Sequence, residues 1–343
     1  MSLPKTQALA EGVLGRALLH IERGSLDAAR PLLAEAVAGG VSTGANACLF
    51  HGAPALEFVL GRSGRADRSV QAAVDRVVAA WLAAARQWRE SGRLPALGEF
   101  ELIRGLTGLG AVLLARAGRP SPLLRQVLAH LVTLAVPAEV DARVLPGWWS
   151  PDSPGHQEIA GGHANNGVAH GIAGPLALLS LAARRDILVD GQIEAIETFA
   201  TWLEEFGGFY WITLGHLLAD KPQQAPPLRP SWCYGDLGIA RTLQLAALAL
   251  GDDARRQKAE ELAIAALTDT ARLERVTGAS LCHGWAGLLT VTAAIAADSP
   301  PPTGSPTPCG RPASGWSAGS PSCSSPGFWK GGPGPFWRWR APT

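Results

Sequence analysis

The residues of this chain best suited to chemistry are two cysteines and a histidine. Cys233 lies in Ser231-Trp232-Cys233-Tyr234-Gly235, and Cys282 and His283 lie in Leu281-Cys282-His283-Gly284. Thiolate and neutral imidazole are ligands that zinc prefers, and three protein ligands leave the fourth tetrahedral position for water or substrate, as a catalytic site requires. Spacing alone argues the other way. Cys233 and Cys282 stand 49 residues apart and form no Cys-x-x-Cys pair, and free cysteine is most often buried and inert. What favours a metal is the setting the three residues share, just before a glycine that opens a helix.

That glycine belongs to a repeated motif. His51-Gly52-Ala53-Pro54-Ala55, Arg104-Gly105-Leu106-Thr107-Gly108, His170-Gly171-Ile172-Ala173-Gly174, Tyr234-Gly235-Asp236-Leu237-Gly238 and His283-Gly284-Trp285-Ala286-Gly287 all read G-x-x-G or G-x-x-A, and each opens a run of small and aliphatic residues. Their first glycines are separated by 53, 66, 64 and 49 residues. One such motif carries no information. Five in sequence describe an imperfect repeat with room for two helices and their loops.

The elements around the motif are of two kinds. Between Val70 and Trp88 the apolar residues Val70, Val74, Val77, Val78, Trp81, Leu82, Ala85 and Trp88 recur at spacings of three and four, which predicts a helix with one buried face. Leu106 to Ala115, Ile172 to Ala183, Ile239 to Leu250 and Trp285 to Ala297 are apolar nearly all round, as a helix enclosed on both sides must be. Thr6 to Ile21 reads as an opening helix, and Leu123 to Val136, Gln192 to Phe206 and Asp252 to Leu273 as further partly polar ones. No sustained period-two alternation argues for a sheet. The fold this predicts is all-α: an α/α barrel over residues 1–298, with inner and outer helix layers. The inner helices point the same way, so residues 170, 233, 282 and 283 meet at one rim.

Composition narrows the function. The 343 residues are 47% hydrophobic and only 17% charged, enough for a large core. A net charge of +1 argues against a nucleic-acid partner. No stretch reads as a signal peptide, and the apolar runs fall short of a membrane span. Five cysteines (Cys48, Cys233, Cys282, Cys309 and Cys323) without framework spacing fit a reducing cytoplasm. Two irregular segments, Pro137 to Asn166 and Phe206 to Ser231, feed the rim. Loops this long are usually functional or disordered. Their aromatics, Trp148, Trp149, Tyr210 and Trp211, suit a substrate-facing surface; the other reading is that they pin the loops to the barrel.

The blocks Asn166-Gly167-Val168-Ala169-His170-Gly171-Ile172-Ala173-Gly174, Trp232-Cys233-Tyr234-Gly235 and Cys282-His283-Gly284-Trp285-Ala286-Gly287 resemble the signatures of the lanthionine synthetase C-like family, the lantibiotic cyclases. The resemblance runs from about Cys48 to Ala297 and includes Phe50-His51-Gly52-Ala53-Pro54 and Ile103-Arg104-Gly105-Leu106-Thr107-Gly108. It implies an α/α toroid with Zn2+ bound by Cys233, Cys282 and His283, and a reaction in which a peptide cysteine adds to dehydroalanine or dehydrobutyrine to close a thioether ring. It also implies a dehydrated precursor peptide as substrate, a dehydratase and an exporter as partners, and a cytoplasmic protein held at the membrane only through those partners.

Such a reaction suits these residues. Zinc coordination deprotonates a thiol that is mostly protonated at neutral pH, and addition generates an enolate that must be protonated on its α-carbon. His170 is the candidate acid by position and by resemblance, since imidazole titrates near neutrality. Arg229 matches a family position near the site and suits the enolate oxygen as a fixed cation; Tyr234 also matches the family pattern. Glu101 stands where the family commonly has an aspartate that orients the histidine, and its extra methylene lengthens that reach. His51 reads as structural, while His156 and His163 lie in the long loop without an assigned role. Two other functions fit the same sequence. One is a zinc-containing member that binds thiols or peptides without cyclising them. The second is an α/α barrel glycosidase or terpene cyclase, which would need acids near the glycine motifs, and this chain has few there.

From Ser299 to Thr343 the text changes to Pro, Gly, Ser and Trp without helical periodicity, and it holds Trp316, Trp329, Trp337 and Trp339. Low-complexity linkers are seldom so rich in tryptophan. A reading-frame slip near residue 300 accounts for the change. With Phe328 encoded UUC, a one-base shift turns Phe328-Trp329-Lys330 into Leu-Glu followed by glycine, 47 residues after Gly284, and the text that follows becomes small and aliphatic. On this reading the last inner helix of the toroid is missing. Resequencing the gene across the tail is expected to find the slip, and an intact frame there removes it.

Overall fold

The computed structural model describes residues 5–118, 120–155, 157–219 and 229–300. The tail with its four tryptophans, the frame slip and missing last helix read from it, His156, and Pro222, Pro226 and Pro227 lie outside the described residues. The helices are α1 Val13–Glu22, α2 Leu26–Val37, α3 Gly52–Arg62, α4 Arg68–Glu90, α5 Leu97–Phe100, α6 Leu106–Ala115 and α7 Pro122–Val132. They continue with α8 Ala173–Ala183, α9 Gln192–Phe206, α10 Leu214–Leu218, α11 Asp236–Leu250, α12 Asp253–Thr268, α13 Thr270–Leu273 and α14 Trp285–Asp298. The inner layer runs α1, α3, α6, α8, α11 and α14, each against the next, and α2, α4, α7, α9 and α12 lie on the outside of its first five members. This is an α/α toroid.

The two layers begin their helices by different means. Outer helices α4, α7 and α12 use side chains, while α2 and α9 have no such cap: Asp67 accepts from the Ser69 and Val70 amides, Ser121 from Leu123, and Asp252 from Arg255, the ordinary way to satisfy free amides at a helix start. Inner helices α3, α6, α8, α11 and α14 have no side-chain cap hydrogen bond. They enter from a loop pressed against the helix itself. At Gly108, Gly238 and Gly287 a Cβ would come closer than 3.0 Å to the carbonyl oxygen six residues earlier, that of Leu102, Trp232 and Leu281 respectively. The second glycine of the motif is therefore required by close approach. The first glycines of α6, α11 and α14 sit at extended, negative φ, which any residue adopts, and they too abut loop backbone, as Gly235 does at Ser231.

This geometry reveals an earlier repeat. Thr6 to Ile21 does not form one helix. Its first half is the loop of the first repeat, α1 begins after Gly12, and Gly15 meets the Leu9 carbonyl as the later second glycines meet theirs. Gly12-Val13-Leu14-Gly15 is thus a further copy of the motif.

Two other expectations change. The long segments contain short strands: β1 Ala138–Val140 pairs with β2 Arg143–Leu145, and β3 Ser150–Asp152, β4 Glu158–Asn165 and β5 Trp211–Thr213 form an antiparallel sheet in the order β3-β4-β5. Three-residue strands are too short to show alternation, and β4 carries glycines where alternation would show. The helix from Trp285 is not enclosed on both sides either. Leu288, Val291 and Ile295 are buried, but Trp285 is 50% and Leu289 59% exposed, because no outer helix among the described residues covers that face. Among the described residues, no helix is long and apolar enough to cross a membrane.

The crowding at Gly238 is open to measurement. Gly238→Ala is expected to lower stability by about 1–3 kcal/mol, the usual cost of overpacking. Gly61→Ala, in α3 with open space around its Cβ position, should be neutral or stabilising by up to about 1 kcal/mol. Urea denaturation of the two variants distinguishes a crowded loop from a general intolerance of alanine.

Candidate functional site

Loops entering the inner helices are joined edge to edge by backbone hydrogen bonds. The Leu9 amide donates to the Phe50 carbonyl (2.9 Å), Leu102 to Ala169 (3.2 Å), Val168 to Cys233 (2.9 Å) and Cys233 to Cys282 (3.3 Å). Four stretches far apart in sequence thus become neighbours at one rim: 101–104, 165–171, 229–234 and 280–283.

Cys233, Cys282 and His283 offer ligand atoms that all lie within 4.8 Å of one another. Cys233 is buried, Cys282 half-buried and His283 exposed, so the cluster opens on one side to an incoming group. Two sulfurs and an imidazole at that separation are a donor set and size that fit zinc. The two thiols interact directly. A hydrogen bond from Cys282, helped by Ser231, His283 and Arg229, lowers the Cys233 thiol to about 6 against the opposing effect of burial. The hydrogen bond with Cys233, followed by burial, pushes Cys282 up. Arg229 stands close enough to favour the thiolate form of both, and its Nε is buried without a partner among the described residues.

Beside this cluster stands a second group. His170 Nδ1 is hydrogen-bonded to the Glu101 Oε2 atom, and Glu101, fully buried, accepts from Arg104 Nε at 2.9 Å through its other oxygen. The longer side chain at 101 therefore reaches the histidine. Because the carboxylate accepts the Nδ1 proton, Nε2 is left as the exchangeable nitrogen. Tyr234 lies with its ring 6.1 Å from the His170 ring, centroid to centroid, and tilted by 30°. Burial pushes its phenol well above the usual range, so it stays protonated at neutral pH.

The aromatics of the long segments divide. Trp148 and Trp149 are buried; Trp148 meets Phe199 and Trp202 edge-on at 5.3 and 5.2 Å, and Trp149 donates to the Gly161 carbonyl. Trp148 pins the loop to α9, and Trp149 ties it to β4. Tyr210 and Trp211, each 37% exposed, stay at the rim, and Tyr210 meets the Tyr234 ring edge-on at 5.1 Å. His51 is buried with Nδ1 3.5 Å from Asn46 Nδ2. His163 is fully buried against Trp211.

Residues not singled out in the sequence hold this arrangement. Asn166, fully buried, donates to the Phe206 and Phe209 carbonyls and accepts from Trp202 Nε1 at 2.8 Å, fixing the segment that carries Tyr210. Gly167 leaves room for Tyr234: a Cβ there would meet its Cε1 at 2.6 Å. Asn165 donates to the Tyr234 hydroxyl. The available signal was Asn165-Asn166 ahead of Gly167 and the third glycine motif, since side-chain amides before a glycine turn often bond local backbone.

Comparison with known proteins gives a family and a fold. The family model for lanthionine synthetase C-like protein matches residues 4–299. The nisin biosynthesis protein NisC of Lactococcus lactis subsp. lactis is 28% identical over 139 residues, which make up 38% of this chain and 32% of that protein. The match thus spans about a third of the relative's length. The solved structure of nisin cyclase superposes with a TM-score of 0.68 at 20% identity, covering 86% of this chain and 77% of that one, a likeness of fold.

Glu101 can be tested by itself. Glu101→Ala leaves His170 Nδ1 and Arg104 without their carboxylate, and a loss of about 1.5–3 kcal/mol, typical of hydrogen bonds to a charged group, is expected in chemical denaturation.

Proposed function

The chain belongs to the lanthionine synthetase C-like family, and from that premise we propose that it is a zinc-dependent lanthipeptide cyclase. Its substrate is a dehydrated precursor peptide, in which cysteine thiols add to dehydroalanine or dehydrobutyrine. The observation that carries the reading is the meeting of Cys233, Cys282 and His283 within 4.8 Å beside the Glu101–His170 pair.

Cys233, Cys282 and His283 are the residues to hold the ion. Bound there, zinc supplies a Lewis acid that keeps an incoming peptide thiol deprotonated and nucleophilic at neutral pH. The remaining work falls to the chain itself. The substrate sulfur bonds to the β-carbon of the dehydro residue, and the alkene electron pair moves toward the adjacent carbonyl, leaving an enolate. Glu101 holds His170 by Nδ1, so the proton that completes the addition leaves Nε2 for the α-carbon. The thiol gives up one proton and the α-carbon gains one, so no oxidant or reductant is needed. Arg229 and the protonated Tyr234 are the donors at hand for the enolate oxygen, a role in which fixed donors outperform water. Tyr210 and Trp211 offer an apolar rim for the peptide. Dehydratase and exporter partners, and attachment to a membrane through them, belong to this reading as well.

Zinc content and ring formation on a dehydrated precursor peptide, read by mass spectrometry with thiol alkylation, test the proposal. Wild type is expected to bind about one zinc per chain and to form rings. Cys282→Ala should lose both. His170→Ala should keep its zinc and slow ring formation by about 10²–10⁴-fold, the usual contribution of a general acid. Ring formation that survives the loss of Cys282 would sink the mechanism; zinc binding without ring formation in wild type would favour a thiol- or peptide-binding protein.

A further inference from the structure

Asn165 is fully buried at the end of β4, and the atoms around it fix which way its amide points. Its Oδ1 accepts from the Gly167 backbone amide at 3.0 Å. A backbone N–H can only donate, so the other end of the side chain must be the NH₂ group, and that group lies 2.9 Å from the Tyr234 hydroxyl oxygen. Asn165 therefore donates to the phenol. The backbone holds the residue in place from three sides: Ile172 donates to the Asn165 carbonyl at 2.9 Å, Asn165 pairs with Trp211 in the sheet, and a Cβ on Gly171 would run into the same carbonyl.

A phenol oxygen offers one proton and two lone pairs. With a lone pair committed to Asn165, and no acceptor among the described residues taking the Tyr234 proton, that proton is free to turn away from Asn165, on a ring that stands 6.1 Å from the His170 ring. We propose that Asn165 is a positioning residue that sets the direction of the Tyr234 hydroxyl, making it a hydrogen-bond donor toward the substrate carbonyl. The part of the inference that concerns substrate rests on the cyclase reading, whereas the orientation of the hydroxyl does not.

Asn165→Asp is the decisive change. It is nearly isosteric and keeps an oxygen for the Gly167 amide, but it replaces the donor facing Tyr234 by an acceptor, so the phenol turns its proton inward. The chain holds two tyrosines, Tyr210 and Tyr234, and protein labelled with ¹³C at tyrosine Cζ gives two resonances that Tyr210→Phe assigns. The Tyr234 resonance is expected to move in Asn165→Asp and to move back as acidification protonates the new carboxyl. With the zinc-loaded full chain and a dehydrated precursor peptide, kcat should fall about 10²-fold, as when one oxyanion donor is removed, with little change in KM. Tyr234→Phe should lose as much, and the double variant no more than either single one.

Asn165→Ser, which keeps an oxygen for Gly167 and withdraws the amide donor, gives a loss that Tyr234→Phe likewise cancels, and it serves if the aspartate variant does not fold. An unmoved Tyr234 resonance, or a loss in Asn165→Asp that persists in full in the Tyr234→Phe background, overturns the proposal. A wild type that forms no rings removes the cyclase reading and leaves the resonance to decide the orientation.

Discussion

Everything at the rim depends on backbone hydrogen bonds that pass from one helix-entry loop to the next. Leu102 to Ala169, Val168 to Cys233 and Cys233 to Cys282 join four neighbouring repeats through main-chain atoms, whose positions are less adjustable than any side chain's. The loops before α6, α11 and α14 reach their neighbours while lying flat on their own helices, and they lie flat because each helix presents glycine there. A small residue at Gly108, Gly238 or Gly287 is thus the cause, and the gathering of distant cysteines and histidines is the effect.

Much of this was legible in the sequence because close approach leaves a mark: only glycine tolerates a carbonyl where a Cβ would be, so the motif recurs wherever the geometry does. The same logic exposes the miss at Gly12 and Gly15. That copy carries no histidine or cysteine and follows only a short stretch of chain, so it read as the interior of one helix. Apolar periodicity located the outer helix over Val70 to Trp88, yet it could not tell that the helix from Trp285 has one bare face, since apolar residues look alike whether covered or exposed. The strands were hidden for another reason. Three-residue pairings such as Trp211–Thr213 are fixed by their partners, and no local pattern encodes them. Trp148 and Trp149 show the same limit: an aromatic in a loop is equally suited to anchoring and to contact with a peptide, and only the position of Phe199 and Trp202 for the first and of the Gly161 carbonyl for the second decides between them.

The site divides its work between two kinds of support. Cys233, Cys282 and His283 are placed by loop backbone with two serines, Ser231 at the Cys233 sulfur and Ser280 accepting from the His283 amide, which suits groups that need only be near one another. His170 and Tyr234 are held by buried side chains, Glu101 and Asn165, each of which spends one oxygen on a fixed donor, Arg104 or the Gly167 amide, and turns its other end toward the ring it serves. Groups that exchange protons need orientation as well as proximity, and a polar residue tied at one end supplies it. Cys233 and Tyr234 are consecutive, so a single short loop delivers one residue to each half and fixes the distance between them.

The absence of side-chain caps on the inner helices has an electrostatic consequence. Each α-helix carries about half a positive charge at its amino end, arising from amides with no partner within the helix. Outer helices quench part of theirs with Asp67, Ser121 or Asp252. The inner ones have part of theirs taken by loop carbonyls, Gly238 by Ser231 and Gly287 by Ser280, and what is left at each exposed end is worth roughly 0.3–1 kcal/mol to a nearby anion. Several ends aimed at one place make the rim a region where a sulfur or an oxygen can carry negative charge at lower cost than in the surrounding solvent, before any side chain or ion takes part.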